Sequence, residues 1–302
     1  MVGKLFCCVD GGGTKTKVAL YNEEDHLLGI TKTGPTNLTL YADDAWNIIT
    51  KALYGLISNA SMEASVISNV HFGIGIAGAN NLDQRKNLIE KCLLDFKEVR
   101  VATDSYIAAL GAHGGHPGGI VIVGTGSVGY RINNDSESKL VGGWGFPAGD
   151  HGSGAWIGKT AIIQTLRLID GCYAGNKTKM HQAIITHYGP TRNDFMKWLF
   201  KANATSYSEI APIVLEYANK QDEAALSIAL AAGIEIETLA LALDCSRKMP
   251  LSLIGGLATP LLPYLPVLLR DWVQDPIGDP ISGALMLAKE LVPNENIYIG
   301  AS

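Results

Sequence analysis

Short apolar runs alternate with stretches of helical spacing along the first third of the chain, and their order predicts strand, strand, strand, helix, strand, helix, strand. Leu5–Val9 is an apolar run that ends in Asp10-Gly11-Gly12-Gly13. Lys17–Tyr21 and His26–Lys32 follow as strands, with Asn22-Glu23-Glu24-Asp25 as the hairpin turn between them. Ala42–Asn59 carries Trp46, Ile49, Leu53 and Leu56 at helical spacing. Val70–Ala77 reads as a strand ending at Gly78, and a helix through Leu82, Leu88, Ile89 and Leu93 comes next. Val99–Ala102 is a short strand that runs into Thr103-Asp104.

The pattern restarts at Gly119. Ile120–Val123 predicts a strand, Gly124-Thr125-Gly126-Ser127 a turn, and Val128–Ile132 and Leu140–Gly143 two further strands. Two glycine turns therefore occupy equivalent places, each joining the first two strands of a lobe. They lie too far apart for a solenoid repeat and suit two lobes of similar topology. After Gly149 the spacing is mostly helical until Leu251–Ile254, a last strand that enters Gly255-Gly256. Helices from Pro260 and Pro280 close the chain, proline being well placed where its missing N–H is not needed.

The length of 302 residues makes two domains the default. The expected division is 1–116 for the N-terminal lobe, with the C-terminal helix 280–292 as a candidate addition, and 117–302 for the C-terminal lobe. At 47% hydrophobic and 18% charged the chain can bury a sizeable core. A net charge of −5, with no basic run, argues against nucleic acid as a partner. No secretory signal fits the start, because Leu5–Val9 is too short and runs into Asp10. Pro250–Leu269 carries no charge, but Pro250, Pro260, Pro263 and Pro266 would break a spanning helix, so no membrane is expected. Ile228–Leu243, interrupted by Glu235 and Glu237, reads as a buried helix. Cys7, Cys8, Cys92, Cys172 and Cys245 show no metal-ligand spacing and read as reduced, buried thiols of a cytoplasmic protein.

Two stretches carry candidate chemistry. In Asp10-Gly11-Gly12-Gly13-Thr14-Lys15-Thr16 a strand ends in three glycines, which lets backbone N–H groups approach a phosphate. Thr14 and Thr16 add hydroxyls. Asp10 would repel phosphate unless a divalent cation lay between, so its natural task is to hold Mg2+ through water. The plainer alternative is a tight hairpin turn, since the stretch matches neither GxxxxGK[ST] nor GxGxxG. Gly124-Thr125-Gly126-Ser127 is a second glycine turn with two hydroxyls, and the matching positions suggest one phosphate chain held from two sides.

The order DGGGT, GTGS and Gly255-Gly256 after a late strand resembles the phosphate-1, phosphate-2 and adenosine motifs of the actin, hexokinase and heat-shock-chaperone superfamily. Within it, the segment from Gly142 to Trp156 is similar to the signature of N-acetylglucosamine and glucosamine kinases, which belong with the benzoyl-coenzyme-A-reductase-activator type of ATPase. The resemblance spans Leu5 to about Leu291. It implies an α/β, two-lobed, ribonuclease-H-like fold with a mixed sheet flanked by helices in each lobe, and ATP and sugar in the cleft between lobes. It implies ATP with Mg2+, transfer to the 6-hydroxyl of glucosamine or N-acetylglucosamine, with another hexose as the alternative acceptor, and a homodimer.

The same resemblance assigns residues. Asp104 matches the catalytic base, a role that phosphoryl transfer to a hydroxyl requires chemically, although an N-cap of the following helix is the structural alternative. Asn37, Gly78, Ala79, Thr125, Gly143, Trp144 and Asp150 match sugar-contacting positions. Gly11, Gly12, Gly13, Thr14, Lys15, Thr16, Gly124, Thr125, Gly126 and Ser127 match the phosphate turns. Gly255, Gly256 and Ser282 match the adenosine pocket, Ser282 within the small-residue start of the helix Asp279–Leu291. His151 stands where some members carry Glu, which bears on how the sugar's 2-substituent is read. Three rivals are weaker. A reductase-activating ATPase would need spaced, exposed cysteines. A sugar-sensing repressor would need a DNA-binding segment, for which no residues are spare before Leu5. A Rossmann oxidoreductase would have a helix, not a strand, after its glycines.

Overall fold

The computed structural model of this chain describes residues 3–41, 44–92, 96–134, 137–172, 174–291 and 298–300. Ala42, Leu93 and residue 292, which the expected helices include, lie outside these. Two units emerge from the distribution of contacts. The first comprises 1–118, 131–138 and 276–302, and the second 119–130 and 139–275.

The first unit is built on β1 (Leu5–Gly11), β2 (Thr16–Asn22), β3 (Leu27–Thr33), β4 (Val70–Ile76) and β5 (Glu98–Ala102). The second contains β6 (Gly118–Val123), β7 (Ser127–Ile132), β8 (Ser138–Gly142) and β9 (Leu251–Ile254), and β10 (Tyr298–Gly300) returns to the first sheet. The first sheet has the order β10-β5-β4-β1-β2-β3, with β1 antiparallel to β2 and parallel to β4, and β4 parallel to β5. The second has the order β8-β7-β6-β9, with β6 and β9 parallel. Strand ends match the apolar runs to within a few residues. β10 has no counterpart in the expected pattern.

In the first sheet β1 is central and buried on both faces, so adjacent Cys7 and Cys8 are both inaccessible. Burial pushes both thiols up. Cys172 and Cys245 are exposed, which corrects the expectation that all five cysteines are buried. The Ala45–Asn59 helix lays Trp46, Ile49 and Leu53 into the core beside Leu20 and Phe72. Trp46, Phe72 and Phe96 meet with ring centroids 5.5 to 6.4 Å apart.

Behind the sheet the helices Asp104–Ala112 and Pro280–Ala288 cross at close range. A Cβ at Gly283 would be driven into the Ile107 carbonyl, and one at Gly111 into the Asp279 carbonyl. Glycine on both sides of the crossing lets the two backbones touch, which fixes the starts of both helices relative to the ends of β1 and β5.

The core of the second unit surrounds the Glu223–Leu243 helix. This helix is long and apolar enough to cross a membrane by length and composition alone. Its buried side chains, among them Ile228, Ala232 and Ile236, pack with Ile157, Val214 and Leu261 in the unit's core.

Candidate active site

In the first unit the polar residues gather where β1, β4 and β5 end, the side of a parallel sheet on which loops collect ligands. The glycine turn after Asp10 is closed by a hydrogen bond from the Gly12 amide to Lys15 O at 3.1 Å. Two loops are stitched to it. The Thr36 amide donates to Gly12 O at 3.1 Å, and the Ala77 amide to Gly11 O at 2.8 Å. The Leu38 amide then donates to Ala77 O at 2.9 Å.

This stitching brings Asn37, Gly78 and Ala79 beside the turn. Asn37 Oδ1 accepts from the Thr39 amide at 2.8 Å and lies 3.3 Å from where a Cβ on Gly78 would sit. Gly78 has φ +86, a conformation open to glycine. Ala79 is buried. Thr16 differs from the rest of the turn: its hydroxyl is inaccessible and bonded to Thr36 Oγ1 at 2.8 Å, which makes it a strut beneath the glycines.

Asp10 is half-buried, and burial raises its pKa to about 6. Lys17 and Lys15 pull the value down, while Asp104 and Asp279 push it up. Lys17 is the residue opposite Asp10 on β2, and its Nζ lies 3.6 Å from Asp279 Oδ2. Asp279 in turn caps the Pro280–Ala288 helix by accepting from the Ser282 amide at 3.1 Å, and Ser282 Oγ bonds back to Asp279 O at 2.6 Å. Lys17 and Asp279 were not singled out by motif. The sequence carries a signal for Lys17, because a hairpin closed at Gly12 and Lys15 pairs Asp10 with it.

Asp104 follows β5 as the first residue of its helix. The cap is Thr103, whose hydroxyl oxygen accepts from the Tyr106 amide at 3.1 Å, so capping does not account for the aspartate. Asp104 Oδ1 accepts from the Ser105 amide at 2.8 Å and from the Ser105 hydroxyl at 3.2 Å. Burial raises its pKa, and the Ser105 bonds oppose the rise. A carboxylate with an increased affinity for protons, fixed at a strand end, is suited to take a proton from a hydroxyl.

In the second unit the Gly124–Ser127 turn lies at the end of β6, and Gly255 at the end of its parallel neighbour β9. A Cβ at Gly255, where φ is +102, would run into the Val123 carbonyl. Gly256 faces open space. The Gly124 amide bonds to Gly126 O at 2.9 Å, and the amides of Gly154 and Ala155 hold Gly124 O and Thr125 O at 2.8 and 3.1 Å. Thr125 Oγ1 lies 3.4 Å from Ser208 Oγ, a contact no motif indicated.

Ser127 is the hub of the turn. Its carbonyl accepts from the Gly143 amide at 3.3 Å, its hydroxyl donates to His151 O at 2.7 Å, and its amide donates to Asp150 Oδ1 at 3.3 Å. Gly143, Asp150 and the phosphate-type turn are thereby one assembly. Trp144 stands out from it, 88% exposed, between Gly143 and Gly145, both at positive φ. His151 faces Glu235, with Nδ1 3.9 Å from Oε2.

A sheet of this order, with a glycine turn between its first two strands, and a second sheet with its own glycine turn define the actin- and hexokinase-like ATPase fold. The chain belongs to the BadF/BadG/BcrA/BcrD ATPase family, whose model matches residues 8–288. It is 28% identical to a glucosamine kinase of Vibrio cholerae over 96% of this chain and 97% of that one. It is 30% identical to an N-acetylmuramic acid/N-acetylglucosamine kinase of Clostridium acetobutylicum, over 68% of this chain and 67% of that one. A crystal structure from Chromobacterium violaceum, provisionally named an N-acetylglucosamine kinase, superposes with a TM-score of 0.87 at 31% identity, covering 95% of this chain and all of that one.

Proposed function

We propose that this chain is a kinase that moves the γ-phosphoryl group of ATP to the 6-hydroxyl of an amino sugar, glucosamine or N-acetylglucosamine. The observation that carries the reading is Asp104. It is a half-buried carboxylate at a strand end, not used as a cap, with its pKa raised, beside a glycine turn that begins with a second such carboxylate. The relatives named for phosphorylating amino sugars support the choice of acceptor.

In the first unit Asp104 accepts the proton of the sugar hydroxyl as it attacks, while Ser105 keeps the carboxylate oriented. Asn37, with the backbone at Gly78 and Ala79, orients the sugar's other hydroxyls. The turn from Gly11 to Gly13, with Thr14 and Lys15, faces the phosphates, the Gly12 amide being spent on Lys15 O. In the second unit Gly124, Thr125, Gly126 and Ser127 form a further phosphate turn. Gly255 and Gly256 leave room for the nucleoside. Gly143, Asp150 and the flat face of Trp144 supply sugar contacts. Ser282, at the start of its helix in the first unit, is assigned to the nucleotide.

Asp10 fits a water-mediated magnesium ligand. Its carboxylate is partly desolvated and has Asp104 and Asp279 as like-charged neighbours, so a cation beside it relieves both costs. Mg2+ keeps water and takes phosphate oxygens, so a single carboxylate of the chain is enough to place it. When bound, Mg2+ would neutralise charge on the transferring phosphates. A cytoplasmic homodimer completes the reading.

The test is ATP consumption by the purified protein with Mg2+ and, in separate tubes, glucosamine, N-acetylglucosamine, glucose or no sugar. Turnover that depends on one amino sugar is expected. Equal hydrolysis in every tube would replace the kinase with a sugar-independent ATPase.

A further inference from the structure

The Gly124–Ser127 turn already has an anion beside it. Asp150 has φ +60, a left-handed conformation that side chains other than glycine adopt reluctantly. There its carboxylate folds back onto the turn, with Oδ1 3.3 Å from the Ser127 amide. A Cβ added at Gly126 would lie 2.9 Å from either carboxylate oxygen, so the group rests directly on that glycine. The segment is pinned in place. The Ser127 hydroxyl holds His151 O at 2.7 Å, and the Ser153 amide holds Asp150 O at 3.1 Å. Glu235 faces His151, with Oε2 3.9 Å from Nδ1. Among the described residues the amides of Thr125 and Gly126 have no partner. The Asp150 carboxylate thus takes the third amide of the turn and lies against Gly126, where a phosphate on the turn would meet a charge of its own sign.

We propose that Asp150 is an internal anion that fills the phosphate place of the Gly124–Ser127 turn, and that a sugar hydroxyl draws it away and so opens the turn to nucleotide. The inference rests on the kinase reading above and adds to it a reason for sugar-dependent turnover. Without sugar, the phosphate must displace a charge-assisted hydrogen bond. With sugar, the carboxylate has a hydroxyl donor to turn to, and the Ser127 amide is released to join those of Thr125 and Gly126. The two ligands then help one another, and by linkage each raises the other's affinity by the same factor. Water, which offers no ring of hydroxyls to hold the carboxylate away, gains nothing from the device.

The experiment is calorimetric titration of the full chain with adenylyl imidodiphosphate and Mg2+, alone and with saturating glucosamine or N-acetylglucosamine. For the unaltered protein, sugar should tighten the analogue roughly fivefold or more, the effect of releasing one charge-assisted bond. Asp150→Asn keeps shape and tolerates the left-handed backbone but lacks the charge. Asp150→Gly suits the backbone and removes the group altogether. Both variants should bind the analogue without sugar as tightly as the unaltered protein does with it, gain nothing when sugar is added, and hydrolyse ATP faster in its absence. Variants that bind as weakly as the unaltered protein overturn the gate and leave the kinase reading intact. An unaltered protein that binds no analogue in either condition overturns the phosphate reading itself, and this inference with it.

Discussion

Asp10→Asn should make the ligand-free protein more stable while removing its activity. Asp10 sits at the end of a central strand, and burial raises its pKa from 3.8 to about 6 despite Lys17 and Lys15 nearby. At about 1.4 kcal/mol per tenfold change in proton affinity, holding that carboxylate ionised costs the folded state at most about 3 kcal/mol at neutral pH. Partial solvent access reduces the observable gain to about 1–2 kcal/mol. The sign follows from which state holds the proton. The folded carboxylate keeps its proton to higher pH than the unfolded one, so this contribution is favourable below 3.8 and is lost as pH rises through about 6. Asn, isosteric and uncharged, escapes the loss. Urea denaturation of both proteins without nucleotide or metal should therefore show the variant more stable at pH 8 and roughly half that advantage at pH 5. Equal stability at pH 8, or a less stable variant, would refute the claim that Asp10 is an uncomfortable charge kept for function.

Three further outcomes follow from the same geometry. Asp104→Asn should retain sugar binding by calorimetry and lose turnover by a factor on the order of 10² or more. The pH profile of kcat/KM should be flat near neutrality and fall as pH drops through about 6, where Asp10 takes up a proton and ceases to attract a cation. A limb displaced to pH 4 would mean that Asp10 is not required in its charged form. Gly283→Ala drives a methyl group into the Ile107 carbonyl at the helix crossing and should cost about 2–4 kcal/mol in urea unfolding, whereas Gly55→Ala, exposed within the Ala45–Asn59 helix with nothing within 4 Å, should gain about 0.5–1 kcal/mol.

Much of the fold is legible because its signals are local. Strands β1 to β9 carry short apolar runs, and the two glycine turns announce themselves by composition alone. Asp104 is visible as a carboxylate after a strand. That Thr103 takes the cap is harder to foresee, since both residues are competent caps and a shift of one position exchanges their roles. The pair Lys17–Asp279 joins residues far apart in the sequence and exists only because the last helix packs against β1. The fold of Asp150 onto Ser127 depends on a left-handed backbone that no pattern of polarity encodes. β10 is three residues long, below what periodicity can register. The motif marks Thr16 as a ligand, whereas the alternation of β2 turns it inward.

The products distinguish a sugar kinase from a sugar-independent ATPase. The protein is incubated with ATP, Mg2+ and glucosamine or N-acetylglucosamine, and the phosphorus spectrum is recorded as ADP accumulates. One sugar 6-phosphate is expected for each ADP, and neither product above background in Asp104→Asn. ADP matched by free inorganic phosphate, with the sugar unchanged, would contradict it.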